Sequence, residues 1–200
     1  MTTPYNREKA LKSQLNTFFH KCLALPDADY YSRLDQEGFA ELKSVLSDIN
    51  NIFTVKVTLA FVAWLSDRFG LDGDTHAQIV SGVLGMKPNA NGYDIEISNP
   101  IRVVAEVKCN IPINRGTKYG SAQRDGIAKD VASLVEGKSK SSVDPSRCLK
   151  FMVLLDKPEI RQATQHFVKN MKVHKDRMVF VEPNTNIESV DHVYVTYVRF

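Results

Sequence analysis

Cysteine is scarce in this chain of 200 residues, which has only Cys22, Cys109 and Cys148. Three cysteines without paired spacing argue against a disulfide framework and against a cysteine zinc site. No stretch reaches the roughly 18 continuous apolar residues of a membrane helix, and the polar N-terminus does not read as a signal peptide. We therefore expect a cytoplasmic protein with no membrane partner.

Several motifs of other enzyme classes are also missing. The sequence has no Gly-x-Ser-x-Gly elbow, no phosphate-binding glycine-rich loop and no dinucleotide fingerprint. None of its five histidines has a neighbour at metal-ligand spacing. Cys109 follows Lys108, but strand parity puts its thiol on the apolar side, so we interpret it as a core residue rather than a nucleophile.

Charge is distributed unevenly along the chain. Residues 1–100 hold 9 Lys and Arg against 12 Asp and Glu, whereas residues 101–200 hold 17 against 11. The second half is therefore positive and the first half negative. A positive half suits a phosphate backbone as partner, although surface lysines are unevenly scattered in many proteins.

Hydrophobic periodicity predicts an α/β fold with an N-terminal helical layer. We expect residues 1–72 to form a helical region packed on a core of residues 73–200, in one compact protein. The core should hold a mixed central sheet flanked by helices. The predicted helices are 11–22, 39–49, a buried 55–69, a short one capped by Asp74 or Thr75 and ending at Leu84, 121–136, and one begun by Pro158; the predicted strands are 151–155, 178–181 and 193–200.

The most informative segment is a predicted hairpin between Asn91 and Asn110. Side chains alternate along a strand, so Asp94 and Glu96 face away from Ile95 and Ile97. On the next strand Glu106 and Lys108 lie opposite the face of Val107. With a three-residue turn Asp94 is diagonal to Glu106, and with a turn two residues longer it faces Glu106 directly. Both registers bring the two carboxylates within reach of one metal ion.

These residue types suit phosphodiester hydrolysis. Mg²⁺ prefers oxygen ligands and keeps several waters, so two carboxylates and a scissile phosphate make a natural site. A bound cation activates water, and an ammonium group on the same side stabilises developing charge. The alternative is an ordinary hairpin with a solvated charged face.

The segment resembles the PD-(D/E)xK nuclease superfamily: Asp94, eleven intervening residues, and then Glu106-Val107-Lys108 in an apolar strand. The resemblance extends over about residues 75–182. It implies a restriction-endonuclease-like fold, with Asp94 and Glu106 as ligands of one or two Mg²⁺ ions and Lys108 as the catalytic lysine. Tyr93 stands where many members have proline. The acidic residue that many members carry on the preceding helix is missing from residues 76–84, and Glu41 is a possible substitute.

The segment after the second strand is the predicted DNA-binding region. Its polar side chains suit contacts with phosphates, base edges or a stacked base, although an ordinary exposed loop would have a similar composition. Gln123 is equally suited to capping the following helix. The residues concerned are Asn110, Asn114, Arg115, Lys118, Tyr119 and Gln123.

The resemblance and the charges together predict a Mg²⁺-dependent endonuclease of the type II restriction class that acts on double-stranded DNA. Such enzymes are expected to form homodimers, because a palindromic site calls for a symmetric protein. Two alternatives share the fold: a non-catalytic nucleic-acid-binding or assembly module, and a structure-specific repair nuclease.

Overall fold

A computed structural model describes residues 5–86, 92–113 and 116–200. The described residues form five α-helices and five β-strands. The helices are α1 (Arg7–Leu23), α2 (Gln36–Phe69), α3 (Gly73–Gly85), α4 (Ser121–Glu136) and α5 (Pro158–Lys169). The strands are β1 (Ile95–Ile97), β2 (Val103–Lys108), β3 (Leu149–Leu155), β4 (Met178–Phe180) and β5 (Val193–Val198).

The strands make one mixed sheet in the order β1-β2-β3-β5-β4. β1 pairs antiparallel with β2, while the β2–β3, β3–β5 and β4–β5 pairs are parallel. The first five residues of β2 and the last six of β3 are buried, as expected for central strands with both faces covered. This arrangement confirms the predicted α/β class with a mixed sheet and flanking helices.

Helices pack against the sheet, and the apolar side chains between helices and strands form the core. Phe61 of α2 packs its ring 5.2 Å from Phe151 of β3, which in turn lies 5.6 Å from Tyr194 of β5. α4 packs against β2, β3 and β5 through Ile127, Val131 and Leu134. The apolar stripe of α4 at 3.6-residue spacing therefore fixes which face of this helix meets the sheet.

The chain divides into two compact units, Met1–Ile49 and Asn50–Phe200, and the division falls inside α2. The prediction put the boundary at residues 72 and 73. In the N-terminal unit, Asn16 accepts a hydrogen bond from the backbone of Tyr31 at 2.9 Å, and Phe19 packs edge-on to Tyr30. The sheet and all of its strands belong to the second unit.

Two helical predictions need correction. The predicted helices 39–49 and 55–69 are one helix of 34 residues, because no proline or glycine between them interrupts the hydrogen bonding. The cap of α3 is Asp72, whose side chain accepts from the Thr75 backbone at 2.7 Å, rather than Asp74 or Thr75. α4 has the predicted bounds, α5 begins at Pro158 as predicted, and the last three strands lie within two residues of theirs, whereas α1 begins four residues earlier than predicted.

α2 is also long and apolar enough to cross a membrane by length and composition alone. A buried core helix passes the same test, and Val57, Phe61 and Leu65 of α2 are fully buried in the core of the second unit. The cytoplasmic location therefore stays a prediction.

Candidate active site

The hairpin register brings the predicted carboxylates face to face. Ile97 pairs with Val103 and Ile95 with Ala105, so the next position along the ladder sets Asp94 opposite Glu106. This is the longer-turn alternative, with residues 98–102 between the strands. Directly opposed residues lie about 5 Å apart at Cβ, which allows both carboxylates to bind one ion.

Asp94 is anchored at the start of the hairpin by a backbone contact. Its Oδ2 accepts a hydrogen bond from the Val107 amide at 2.7 Å. Burial raises the pKa of Asp94, and this amide, Lys108 and Lys138 partly offset the shift. The contact holds one carboxylate oxygen against β2 and so fixes the position of the group.

Glu106 lies deeper, with only 5% of its side chain exposed. Burial raises its pKa to about 7, and the neighbouring Asp94 and Asp130 carboxylates add to the shift. Glu106 Oε1 lies 2.5 Å from Lys138 Nζ and forms an ion pair with it. Two carboxylates forced together in a buried place favour a cation between them.

Lys108, the last residue of β2, forms an ion pair with Asp130 of α4. Asp130 was not predicted as a site residue. It supplies a helical carboxylate beside Glu106 and Lys108, although from the helix after the hairpin rather than the helix before it. One signal was available in the sequence: Asp130 lies three residues after Ile127 and four before Leu134, so it borders the inward stripe of α4.

Lys138 is the second site residue that the sequence analysis missed. It follows α4, in a segment whose lysines and serines read as an exposed loop. Its Nζ donates a 2.7 Å hydrogen bond to the Gly92 carbonyl and lies 4.9 Å from the ring centre of Tyr93. The position of Lys138 depends on the packing of α4 against the sheet, which local sequence patterns do not reveal.

Tyr93, which stands before Asp94, is a buried structural residue. Its hydroxyl donates to the Ser133 carbonyl of α4 at 2.9 Å, and burial raises its pKa to about 12. The residue ties the start of the hairpin to the helix that carries Asp130. A proline at this position would lack that tether.

The predicted DNA-binding residues fall into different environments. Asn114 and Arg115 lie outside the described residues, Lys118 is exposed, and Asn110 is partly buried. Tyr119 is only 3% exposed and its hydroxyl pairs with Thr164 of α5 at 2.9 Å, so in this structure it is a core residue and cannot stack on a base.

The side chain of Gln123 forms hydrogen bonds with the loop that precedes α4. Its Oε1 accepts from the Gly120 amide at 3.0 Å, and its Nε2 donates to the Ile111 carbonyl at 2.8 Å. This is the capping alternative, which holds the start of α4 against the loop. Cys109, as predicted, is not a candidate nucleophile, because burial raises the pKa of its thiol.

The acidic residues considered before the hairpin lie elsewhere in the chain. Glu41 belongs to α2 within the N-terminal unit. α3 begins earlier than predicted and so includes Asp74 in its first turn. A cleft of about 380 Å³ between α3 and β1 reaches Asp94, and the side of α3 that lines it carries Gln78 but not Asp74.

The residues at this site fit a hard divalent cation. The buried oxygens Glu106 Oε1 and Asp130 Oδ2 have the ammonium groups of Lys138 and Lys108 as ion-pair partners, and the site side chains that could bind a cation are carboxylates. Across residues 5–86, 92–113 and 116–200, no three Asp, Glu, His or Cys side chains converge as a metal cage. Two converging carboxylates suit Mg²⁺, which usually leaves other coordination positions to water and substrate phosphate.

A larger groove of about 720 Å³ runs along another face of α4, beside the segment after α5. His174 lies in it with its Nε2 3.0 Å from Glu136 Oε1. None of the predicted site residues lines this groove. The paired carboxylates therefore remain the stronger candidate for chemistry.

Comparisons of the chain with protein-family models, with curated proteins and with solved structures gave no match. The nuclease family thus stays a prediction that rests on Asp94, Glu106 and Lys108.

Proposed function

We propose that this protein is a Mg²⁺-dependent DNA endonuclease of the type II restriction class, built on the restriction-endonuclease-like variant of the α/β fold. One observation carries the proposal: the β1–β2 register sets Asp94 opposite Glu106, with Lys108 two residues further along the same side of β2. The burial of Glu106 beside the Asp94 and Asp130 carboxylates adds support, because neighbouring carboxylates favour a bound cation.

Each residue has a distinct role in this proposal. Asp94 and Glu106 would hold one or two Mg²⁺ ions. The ion, when bound, supplies Lewis-acid activation of a water nucleophile. Lys108 holds that water or stabilises charge on the phosphate oxygens, and Asp130 keeps the Lys108 ammonium in place.

Duplex DNA is the proposed substrate. The net positive charge of residues 101–200 and the exposed Lys118 support it, because phosphate neutralisation dominates non-specific affinity for DNA. We further propose a cytoplasmic homodimer, since a two-fold protein matches the symmetry of a palindromic site.

A non-catalytic nucleic-acid-binding module is the second candidate. The observation in its favour is that Lys108 pairs with Asp130 while Lys138 pairs with Glu106. Lysines of the protein itself therefore neutralise most of the acidic charge. A structure-specific repair nuclease would keep the same site and differ only in the shape of the DNA it accepts.

The test is DNA cleavage by the wild type and by Glu106→Gln, with plasmid and phage DNA, in Mg²⁺ and in EDTA. We expect discrete Mg²⁺-dependent fragments from the wild type. Glu106→Gln should lose cleavage and still shift DNA in a gel, because the amide keeps the size of the side chain and removes a metal ligand. Glu188→Gln, at an exposed position, is the matched control.

Intact plasmid and phage DNA after incubation with folded wild type in Mg²⁺ or Mn²⁺ would contradict the restriction proposal. Cleavage of branched or flapped DNA under the same conditions would then identify a repair nuclease. DNA binding that Glu106→Gln leaves unchanged, without cleavage of any substrate, would identify the non-catalytic module.

A further inference from the structure

The ammonium group of Lys138 lies among the oxygen atoms that a metal ion would use. Its Nζ is 2.5 Å from Glu106 Oε1 and donates to the Gly92 carbonyl at 2.7 Å. Lys138 lies near enough to Asp94 to offset part of the rise in the pKa of the Asp94 carboxyl. A carbonyl and a carboxylate on one ammonium group, with a second carboxylate nearby, are also the donors that a hard divalent cation prefers.

The charges at the site show why a divalent cation is not easily added while both lysine ammonium groups remain. Asp94, Glu106 and Asp130 bring three carboxylates, and Lys108 and Lys138 bring two ammonium groups. With all five ionised the cluster carries one negative charge. A divalent cation would make it positive with Lys138 in place, and would make it neutral if Lys138 left.

Lys138 is the ammonium group that is free to leave. Lys108 belongs to β2 and has Asp130 as its own partner, whereas Lys138 follows the end of α4 at Glu136 and reaches the site from a loop. About 23% of the Lys138 side chain is exposed, so its ammonium can return to water without crossing the core.

The loop is attached to the hairpin by contacts that do not involve the metal ligands. Ser141 Oγ donates to Glu96 Oε1 at 3.0 Å, and the Tyr93 amide donates to the same oxygen at 3.0 Å. A Cβ at Gly92 would lie 2.8 Å from Glu96 Oε1, so a larger residue there would displace the Glu96 carboxylate from these contacts. The loop can therefore stay docked through Ser141 while the Lys138 side chain changes its partner.

We propose that Lys138 is a resident counterion of the metal site, which occupies the oxygens of Glu106 and Gly92 in the metal-free protein and leaves them when a divalent cation binds. The proposal rests on the proposed function only in that the site binds a metal. Once released, the ammonium lies beside the scissile region, where a DNA phosphate is the natural new partner.

Lysine acylation of the wild type tests the exchange directly. The protein is treated with an acetylating reagent in EDTA and in Ca²⁺, which replaces Mg²⁺ without supporting cleavage, and each lysine is quantified by mass spectrometry. We expect severalfold more modification of Lys138 in Ca²⁺. Lys140, exposed on the same loop, is the internal control and should not change.

Calorimetry with Ca²⁺ alone, without DNA, measures the competition. Lys138→Met should bind Ca²⁺ about tenfold more tightly than the wild type, because the cation no longer displaces an ammonium. Lys138→Arg should stay within about twofold of the wild type, since the positive charge remains. Lys140→Met should match the wild type.

Three results would overturn the proposal: unchanged Lys138 acylation in saturating Ca²⁺, no gain in affinity for a folded Lys138→Met, or no Ca²⁺ binding by any variant. The proposed nuclease function has a separate outcome, since it fails if DNA stays intact in Mg²⁺ even when Ca²⁺ binding and Lys138 exposure are both observed. Conversely, Mg²⁺-dependent DNA cleavage together with unchanged Lys138 acylation would support the nuclease proposal and contradict the counterion proposal.

Discussion

Buried charged side chains have different partners at the two ends of the parallel strands. At the amino end of β3, Lys150 is only 2% exposed, and its ammonium donates to the carbonyls of Cys148 at 3.3 Å and of Val190. At the carboxyl end of β2, Glu106 and Lys108 lie among further charged side chains from α4 and the loop after it.

The difference lies in the partners of the buried charges, which are backbone carbonyls at one end and charged side chains at the other. The Lys150 ammonium is satisfied by backbone carbonyls, and burial lowers its pKa. At the carboxyl end, Glu106 and Asp130 instead form ion pairs with the ammonium groups of Lys138 and Lys108. Asp94, Glu106 and Asp130 bring three carboxylates against these two ammonium groups, an arrangement that favours a further cation at this end. Ligands of open α/β sheets commonly bind at the carboxyl ends of strands.

The largest effect is expected from Asp94→Asn, which removes one negative ligand and keeps the side-chain volume. We expect the rate of Mg²⁺-dependent cleavage to fall on the order of 10³-fold, because charge stabilisation at the phosphate is lost. The measurement is single-turnover cleavage of a plasmid. Asp125→Asn, at an exposed position of α4, is the control, and an equal loss in both variants would contradict a special role for the carboxyl end.

Asp130→Asn should have a smaller effect, a loss of about 10- to 100-fold in the cleavage rate, because it acts by holding Lys108 rather than by binding the reacting groups. Ca²⁺ affinity, measured by calorimetry, distinguishes this from a ligand role. We expect the affinity to change less than it does in Asp94→Asn. A loss as large as that of Asp94→Asn in both rate and affinity would make Asp130 a metal ligand.

Lys150→Met tests the amino end and should leave cleavage unchanged. A lysine whose pKa is lowered by folding binds its proton more weakly in the native state. The wild type therefore becomes less stable as the pH falls from the ordinary lysine pKa of 10.5 through the native pKa. The methionine variant lacks this slope. We expect it to be more stable than the wild type at neutral pH, by about 1 kcal/mol, and to lose that advantage at alkaline pH.

Denaturant unfolding of both proteins between neutral pH and pH 10 supplies the measurement for Lys150→Met. A constant difference over this range would contradict a buried charged lysine. A loss of cleavage in the variant would mean that the amino end is not purely structural.

The smallest effect concerns the loop that leaves the carboxyl end of β2. Tyr119→Phe removes the hydroxyl that pairs with Thr164 and should lower the free energy of unfolding by about 1 kcal/mol. It should leave DNA affinity unchanged, because the ring is buried. Lys118→Ala should do the reverse, with weaker DNA binding in a gel-shift titration and unchanged stability. DNA binding that depends on Tyr119 and not on Lys118 would show that the loop opens to expose the ring.

Local patterns in the sequence predicted most of the secondary structure because helical and strand periodicities are set by neighbouring residues. The bounds of α4 and the first-turn proline of α5 were predicted in this way. The single long α2 was not, since two apolar stripes on either side of Asn50 and Asn51 look like two helices. Strand parity likewise set Asp94, Glu106 and Lys108 on one side of the hairpin, but it left the length of the turn open.

The sequence by itself therefore determined the α/β class and which face of each hairpin strand carries charge, because both follow from spacing along the chain. The tertiary structure decided the register that opposes Asp94 and Glu106, the arrival of Asp130 and Lys138, and the burial of Tyr119. These depend on contacts between residues far apart in the chain. The packing of α4 and α5 on the sheet buries apolar side chains of both helices and so helps to select such contacts.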